Sequence, residues 1–410
     1  IAHNCPEEMV NFLRDQCAMH QDNVYLVNGP VNLSRLQALH SMVERSDLKF
    51  KPFTQGRPNG LTSEVEIFGL LKQKDVLLHH PYQSFTPVID LIKQAASDSS
   101  VLAIKQTLYR TGAVSPIVDA LVAAAHGGKE VTVVIELRAR FDEEANVALA
   151  SKLQQAGAHV VYGIVGYKTH AKMLLILRRE NNKLRRYVHL GTGNYHRSTS
   201  RIYTDYGLLT SDKQIGEDVN NLFIQLTSLG KIPKMHKLLH APFNLHQGLL
   251  DKIDREIAHA EAGKNARIIV KVNALVEPEM VKVDLIVRGI CTLKPGVQGV
   301  SENIQVRGII GRFLEHTRVF YFENDGQVEI WAGSADLMKR NLLRRVETCF
   351  PIESKRLQKR IIADLNLYLA DNTQAWILSA DGRYHRAARN EGDEMISAQN
   401  MLLEELAKIN

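Results

Sequence analysis

THAKMLLI (169–176), GTGNYH (191–196) and YTDYGLLT (203–210) are answered later in the chain by EHTRVFYF (315–322), GSADLMKRN (333–341) and VETCFPI (346–352). Each series reads histidine–x–cation, then a strand, then a small-residue turn ending in Asn or Asp, then a strand opening on a carboxylate. Side chains alternate along a strand, so His170 and Lys172 share one face, as do His316 and Arg318. With 16 His and 51 Lys plus Arg in 410 residues, about two H-x-[KR] triplets are expected by chance, and two are present. The information therefore lies in the shared order of elements. It predicts two duplicated domains whose symmetry brings both histidines to one place.

The repeat extends upstream. VTVVIELR (131–138) aligns with VKVDLIVR (281–288), which makes Arg138 and Arg288 equivalent strand ends, and AIKQTLY (103–109) with IVKVNALV (269–276), which pairs Lys105 with Lys271. Between the repeats, apolar strands such as VLAIKQ and VTVVIEL alternate with helices such as PIVDALVAAAHGG and EEANVALASKLQQAG. That order predicts a parallel α/β sheet with crossover helices. KMLLIL and YVHL read as a hairpin around RRENNKLRR. In the second half only VEPEM separates the strand ARIIVKV from VKVDLIV. Parallel neighbours need a crossover of roughly a dozen residues or more, so a helix is expected to be missing between Met280 and Val281.

Residues 1–56 read as the helical tail of an upstream domain, closed by the Pro/Gly linker KPFTQGRPNG. The first duplicated domain is expected over 57–240 and the second over 241–410. The chain begins at Ile1 without a methionine, which reads as a piece of a longer protein. No apolar run reaches the ~18 residues that span a bilayer.

The net charge of +6 favours an anionic partner. An aromatic content of 6% without a stacking pattern argues against nucleic acid. Cys5, Cys17, Cys291 and Cys349 have no zinc-ligand spacing. Arg110, Arg138 and Arg140 follow apolar strands at their carboxyl ends, where ligands bind in open α/β sheets, and guanidinium groups hold phosphate bidentately. In GTGN the glycines let backbone N–H groups and the Asn194 amide approach an anion.

HHPYQSF (79–85), KQTLYRTG (105–112), ELRARFDEEAN (136–146), GYKTHAKM (166–173), GTGNYH, YTDYGLLT and RGICTLKPG (288–296) together resemble bacterial polyphosphate kinase. The resemblance covers nearly the whole chain. It implies an α/β fold of two tandem phospholipase D-like domains related by a pseudo-twofold axis, with a remnant of an upstream domain. It implies reversible transfer of the ATP terminal phosphate to inorganic polyphosphate with Mg²⁺, and a phosphohistidine at His170. By the same resemblance Tyr203, Arg288 and His316 contact nucleotide, and Arg110 and Arg140 lie at the magnesium–phosphate site. Arginine has no lone pair for a metal, so these two are read as phosphate clamps. Lys172, Asn194 and Arg318 are candidates to hold phosphate oxygens.

Asp205 and Glu347 are expected to orient the histidines, since a catalytic imidazole needs its tautomer fixed. Crossed pairing is expected, Glu347 with His170 and Asp205 with His316. Pairing within each half, or with surface cations such as Arg201 or Arg345, is the alternative. A phospholipase D-like hydrolase is the rival reading, but its H-x-K is followed after four residues by Asp, and this chain has Leu177 and Glu323 there. The expected partners are ATP, ADP and polyphosphate. A homo-oligomer in the cytoplasm, associated peripherally with the inner membrane, is the expected setting.

Overall fold

The computed structural model describes residues 1–58, 60–62, 64–109, 115–136, 143–164, 166–228, 234–275 and 283–407. Two compact units divide between Phe53 and Thr54. The first carries the helix Glu7–Gln16, entered through Pro6, where proline is tolerated because no N–H is needed. A shorter helix follows at Gln37–Met42. No helix among the described residues is long and apolar enough to cross a membrane.

The second unit contains two sheets built alike. In the first half the strands are β1 (Val76–His80), β2 (Val101–Leu108), β3 (Glu130–Ile135), β4 (His159–Val161), β5 (Lys168–Thr169), β6 (Lys172–Glu180), β7 (Lys183–Gly191) and β8 (Tyr203–Thr210). In the second half they are β9 (Leu239–Ala241), β10 (Ile268–Val272), β11 (Val283–Val287), β12 (Ile304–Ile309), β13 (Leu314–Glu315), β14 (Arg318–Phe322), β15 (Glu329–Gly333) and β16 (Arg345–Pro351). The first sheet runs β1-β8-β7-β6-β2-β3-β4, and the second contains β9-β16-β15-β14-β10-β11-β12. The order is the same, which establishes the duplication as two tandem phospholipase D-like domains. A hairpin of β17 (Ala375–Leu378) and β18 (Tyr384–Arg386) extends the second sheet beyond β12.

The sheets are mixed rather than parallel. β2, β3 and β4 run parallel, joined by the helices Pro116–His126 and Glu143–Gln155, while β6, β7 and β8 are antiparallel. The reason lies in the turn between β6 and β7. Asn181 and Asn182 both have positive φ, 46° and 61°, as a two-residue hairpin turn demands and asparagine tolerates. That tight reversal forces antiparallel neighbours. Ile104, Leu174, Ile176 and Leu209 form the first core, and Val270, Leu285 and Phe320 the second.

Register corrects the upstream alignment. Gln106 faces Leu174 in the first half, and Val270 faces Phe320 in the second. Measured from the two histidines, Thr107 and not Lys105 is therefore the counterpart of Lys271. By the same register Val133 matches Leu285, so Glu136 is the counterpart of Arg288. Two residues is one strand period, so the sequence repeat kept the hydrophobic phase and lost the register. β10 and β11 pair in parallel. The helix expected between Met280 and Val281 falls outside the described residues, as do Arg110, Arg138 and Arg140.

Candidate active site

The two short strands preceding the histidines are exchanged. β5 leaves its own half and pairs in parallel with β16, Thr169 facing Val346. β13 crosses the other way to β8, Glu315 facing Thr204. β1 pairs with β8 from Asp205 to Leu209, and β13 takes up Tyr203 and Thr204 where β1 stops. β9 and β5 share β16 in the same manner. Each histidine is thus delivered to the carboxylate of the opposite half.

The crossed pairing follows. His170 Nδ1 lies 2.8 Å from Glu347 Oε2, and its backbone N–H donates to the Val346 carbonyl at 2.9 Å. His316 Nδ1 lies 2.9 and 3.0 Å from the two Asp205 oxygens, and its N–H donates to Thr204 Oγ1 at 3.0 Å. Thr192 Oγ1 donates to Asp205, and Ser334 Oγ donates to Glu347. Thr192 and Ser334 hold the same place in GTGN and GSAD, and that shared hydroxyl was the sequence signal for them. Asn341 adds a second donor to Glu347 at 2.8 Å. Arg345, an expected surface partner, reaches Glu347 only at 3.9 Å.

Glu347 is 0% exposed. Burial raises the pKa of a carboxyl group, but the pairing with His170, the Lys172 charge and the Ser334 bond outweigh it and hold the group below its ordinary range. His170 is driven the other way. Desolvation lowers it to about 3 against the attraction of Glu347, so the ring is neutral at pH 7. Nδ1–H donates to the carboxylate, which leaves the Nε2 lone pair free to attack. Tyr109 stands edge-on to the ring, centroids 5.0 Å apart.

Lys172 is 1% exposed. Its Nζ donates to the His170 carbonyl and sits over the Tyr109 ring. Burial lowers its pKa to about 7, with Arg318 and Arg345 pushing the same way and Glu347 opposing. The lysine therefore changes charge near neutrality, directly behind His170.

The second copy is wired differently. Arg318 forks onto Asp336 at 3.0 and 3.1 Å and donates to the Thr192 carbonyl, tying β14 to the GTGN turn. Its Nη1 also lies 3.1 Å from His316 Nε2 and 3.2 Å from Nδ1, so guanidinium covers this ring. Burial and then the Arg318 charge lower the His316 pKa. Tyr203 packs on His316 with centroids 5.2 Å apart. Arg288 donates to Asn273 Oδ1, and Asn273 donates to the His316 carbonyl. Arg288 is itself exposed and its pKa is lowered, by burial of part of the guanidinium and by Arg318.

Asn194 lines a small cavity with His80, His189 and Asp205. Its side-chain oxygen is buried without a hydrogen-bond partner among the described residues. The neighbouring glycine is required by close approach: a Cβ at Gly193 would stand 2.0 Å from Asp205 Oδ2 and 2.2 Å from Cγ. Gly193→Ala is therefore expected to push Asp205 off His316 and to cost the ~1–3 kcal/mol typical of overpacking. Thermal unfolding of the variant reads this directly.

The histidine shift makes stability depend on acid. An unfolded His170 takes up a proton below pH ~6.5, whereas the folded one resists until about 3. Protonation then favours the unfolded chain, so stability falls as pH drops from ~6.5 toward 3. Glu347, held below its ordinary range, adds to the loss in the lower part of that window. Denaturant midpoints followed from pH 7 to pH 4 are expected to decline, and less steeply in His170→Ala.

Among the described residues no group of three or more His, Cys, Asp or Glu is placed to hold a metal ion. Asp205, Asp336 and Glu347 are each committed to a histidine or an arginine.

Family models described as polyphosphate kinase C-terminal domain 1 and C-terminal domain 2 match residues 66–232 and 238–399. A polyphosphate kinase of Pseudomonas aeruginosa is 54% identical over 418 aligned positions, covering 99% of this chain and 61% of the relative. One from Xylella fastidiosa is 55% identical, covering 99% of this chain and 60% of the relative. Both alignments are longer than the chain, so the relatives hold residues within it that this chain lacks. The crystal structure of polyphosphate kinase from Porphyromonas gingivalis superposes with a TM-score of 0.85 at 31% identity, over 99% of this chain and 63% of that one. A phosphatidylserine synthase of Haemophilus influenzae shares the fold alone, with a TM-score of 0.50 at 10% identity over 81% of this chain and 92% of that one. The chain spans about three-fifths of the length of the curated relatives it matches. Joined to the exchanged histidines and their carboxylates, these matches establish that the chain belongs to the polyphosphate kinase family and corresponds to its C-terminal part.

Proposed function

We propose that this chain carries the phosphoryl-transfer site of a polyphosphate kinase, which moves the terminal phosphate of ATP reversibly to inorganic polyphosphate through a phosphohistidine at His170. One observation carries the reading: the two histidines occupy equivalent places, yet among the described residues guanidinium lies against the Nε2 of His316 and no hydrogen bond engages that of His170. Arg318 lies against both nitrogens of His316, while the corresponding Lys172 turns to the backbone of His170.

Neutral His170 Nε2 attacks the γ-phosphorus. The bond from that phosphorus to the β,γ-bridging oxygen breaks, ADP leaves with the electron pair, and an N–P bond forms. The ring becomes cationic, and Glu347 across the Nδ1–H stabilises it, as the carboxylate of a histidine–carboxylate pair does. A terminal oxygen of polyphosphate then attacks the phosphorus and returns the electron pair to Nε2. Such transfer needs positioning and charge stabilisation above all. Arg288, with Tyr203 and His316 beside it, forms the wall on which nucleotide or polyphosphate oxygens rest, and Arg318, forked onto Asp336, holds His316 in place. His316, oriented by Asp205, is placed to exchange a proton with the leaving or entering oxygen.

A divalent metal, Mg²⁺ in this proposal, neutralises phosphate charge when bound. The described donors do not suit it as direct ligands, so it is assigned to the phosphate oxygens and water. Arg110 and Arg140 remain the proposed phosphate clamps beside it.

The test is incubation of the full-length protein with γ-labelled ATP, Mg²⁺ and short polyphosphate. Acid-labile, base-stable label on the protein together with longer chains on electrophoresis supports the kinase. Phosphodiester hydrolysis without label would establish the phospholipase D-like alternative instead.

A further inference from the structure

A second concave site lies along β1 and is lined by neither His170 nor His316. It has a volume of about 350 Å³ and is lined by Arg57, Lys74, Gln83, Arg356, Arg360 and Glu405, with aliphatic side chains between them and no aromatic ring. Four cations thus converge from three separated parts of the chain on one carboxylate. Val76, which lines this hollow, is four residues along β1 from His80, the partner of Asp205.

The charges are only partly matched within the fold: Arg360 lies in the field of Asp364, one helical turn on. Among the described residues only Arg57 meets a carboxylate, Asp90 at 3.6 Å. Glu405 lines the hollow but forms no ion pair with any of the four within 4.0 Å. Arg356 donates to the Asp75 carbonyl at 3.2 Å. Arg360 donates to the Leu77 carbonyl and to Gln83, both at 3.1 Å, and its buried Nε has no hydrogen-bond partner.

The helix Lys355–Ala370 begins here with KRLQKR. It has no acidic residue in its first turn and no side-chain cap. Unpaired N–H groups and the positive end of the helix dipole already favour an anion at this point. Four basic residues in the opening turns, Lys355, Arg356, Lys359 and Arg360, repel that end and each other. A fold keeps such an arrangement at a cost in stability unless a negative charge binds it. The size of the hollow admits several linked phosphoryl groups, and the absence of an aromatic platform disfavours a nucleobase.

We infer that this hollow is an exosite for a segment of linear inorganic polyphosphate, separate from the place of phosphoryl transfer. The assignment rests on the polyphosphate kinase reading for its biological ligand, while the phosphate chemistry stands on the residues themselves. Anchoring a chain there raises its effective concentration at the histidines.

The test uses the full-length protein and inorganic tripolyphosphate, measured by calorimetry without ATP. Lys74 and Arg356 are exposed and lie outside the catalytic machinery, so Lys74→Gln/Arg356→Gln is the working variant. Wild type is expected to show two classes of tripolyphosphate site. The variant is expected to lose one, with at least a ~10-fold drop in affinity, while ADP binding and His170 labelling stay unchanged. Lys74→Arg/Arg356→Lys is expected to restore the second class, which separates lost charge from lost folding. A single class in wild type, or the same two classes in the glutamine variant, overturns the exosite. Absence of label on wild-type His170 removes the kinase reading and, with it, the polyphosphate assignment, and does so independently of the calorimetry.

Discussion

His170→Ala is expected to take up no phosphoryl label from γ-labelled ATP and to lose at least ~10⁴-fold in turnover, because the variant has no nitrogen on which to carry the group. His316→Ala is expected to keep a labelled protein while turning over ~10²–10⁴-fold more slowly, the range for removing a positioned acid or base. The asymmetry comes from what covers each ring. Among the described residues His170 gives Nδ1 to Glu347 and makes no other side-chain hydrogen bond, whereas His316 is held between Asp205 and Arg318. Mapping the label by peptide after partial digestion reads the result. Label retained in His170→Ala and absent in His316→Ala would reverse the assignment.

Glu347→Gln should be nearly as damaging to turnover while leaving the fold in place. The amide is close to isosteric and still accepts from Asn341 or Ser334. It does not supply the negative charge that stabilises the imidazolium, and its NH₂ competes for Nδ1 and favours the wrong tautomer. A loss on the order of 10³–10⁴-fold is expected, in line with a carboxylate-to-amide change beside a catalytic histidine. A second signature separates this from general damage. Without the carboxylate, the developing charge on His170 is opposed only by more distant groups, so the label is expected to form slowly and in low yield even at saturating ATP. Single-turnover labelling at pH 7 measures it, and a wild-type rate would remove Glu347 from the mechanism.

Much of the site was legible in the sequence because both copies spell it. The distance from Thr192 to Asp205 equals that from Ser334 to Glu347, 13 residues in each copy, and each histidine stands two residues before its cation. The crossed pairing followed from a twofold relation and a need for tautomer control. What stayed hidden was the means of crossing. β5 and β13 are two residues each, too short to show a period, and their pairing depends on an edge far away in sequence. The upstream alignment erred by one strand period, since alternating apolar residues look the same after a shift of two. Another echo went unread. HHPYQ (79–83) and HAPFN (240–244) end β1 and β9, and in each the first histidine N–H donates to the side-chain oxygen of the last residue. Arg318 was expected to face phosphate, but its fork is occupied by Asp336, a partner that the GSAD turn offered in plain sight.

The exchange of β5 and β13 makes each half incomplete in a definite way. A polypeptide ending before residue 234 owns His170 and lacks the Glu347 carboxylate that orients it; one starting there owns Glu347 and lacks His170. Mixed together, two such half-proteins hold every group of the His170–Glu347 pair, so activity regained on mixing would be second order in protein. In a single-copy ancestor the same exchange would have run between identical chains, and catalysis would have faded on dilution. Tandem fusion removes that concentration dependence. It also frees the two copies to diverge, as Lys172 and Arg318 have, one turned to its backbone and the other laid against its histidine.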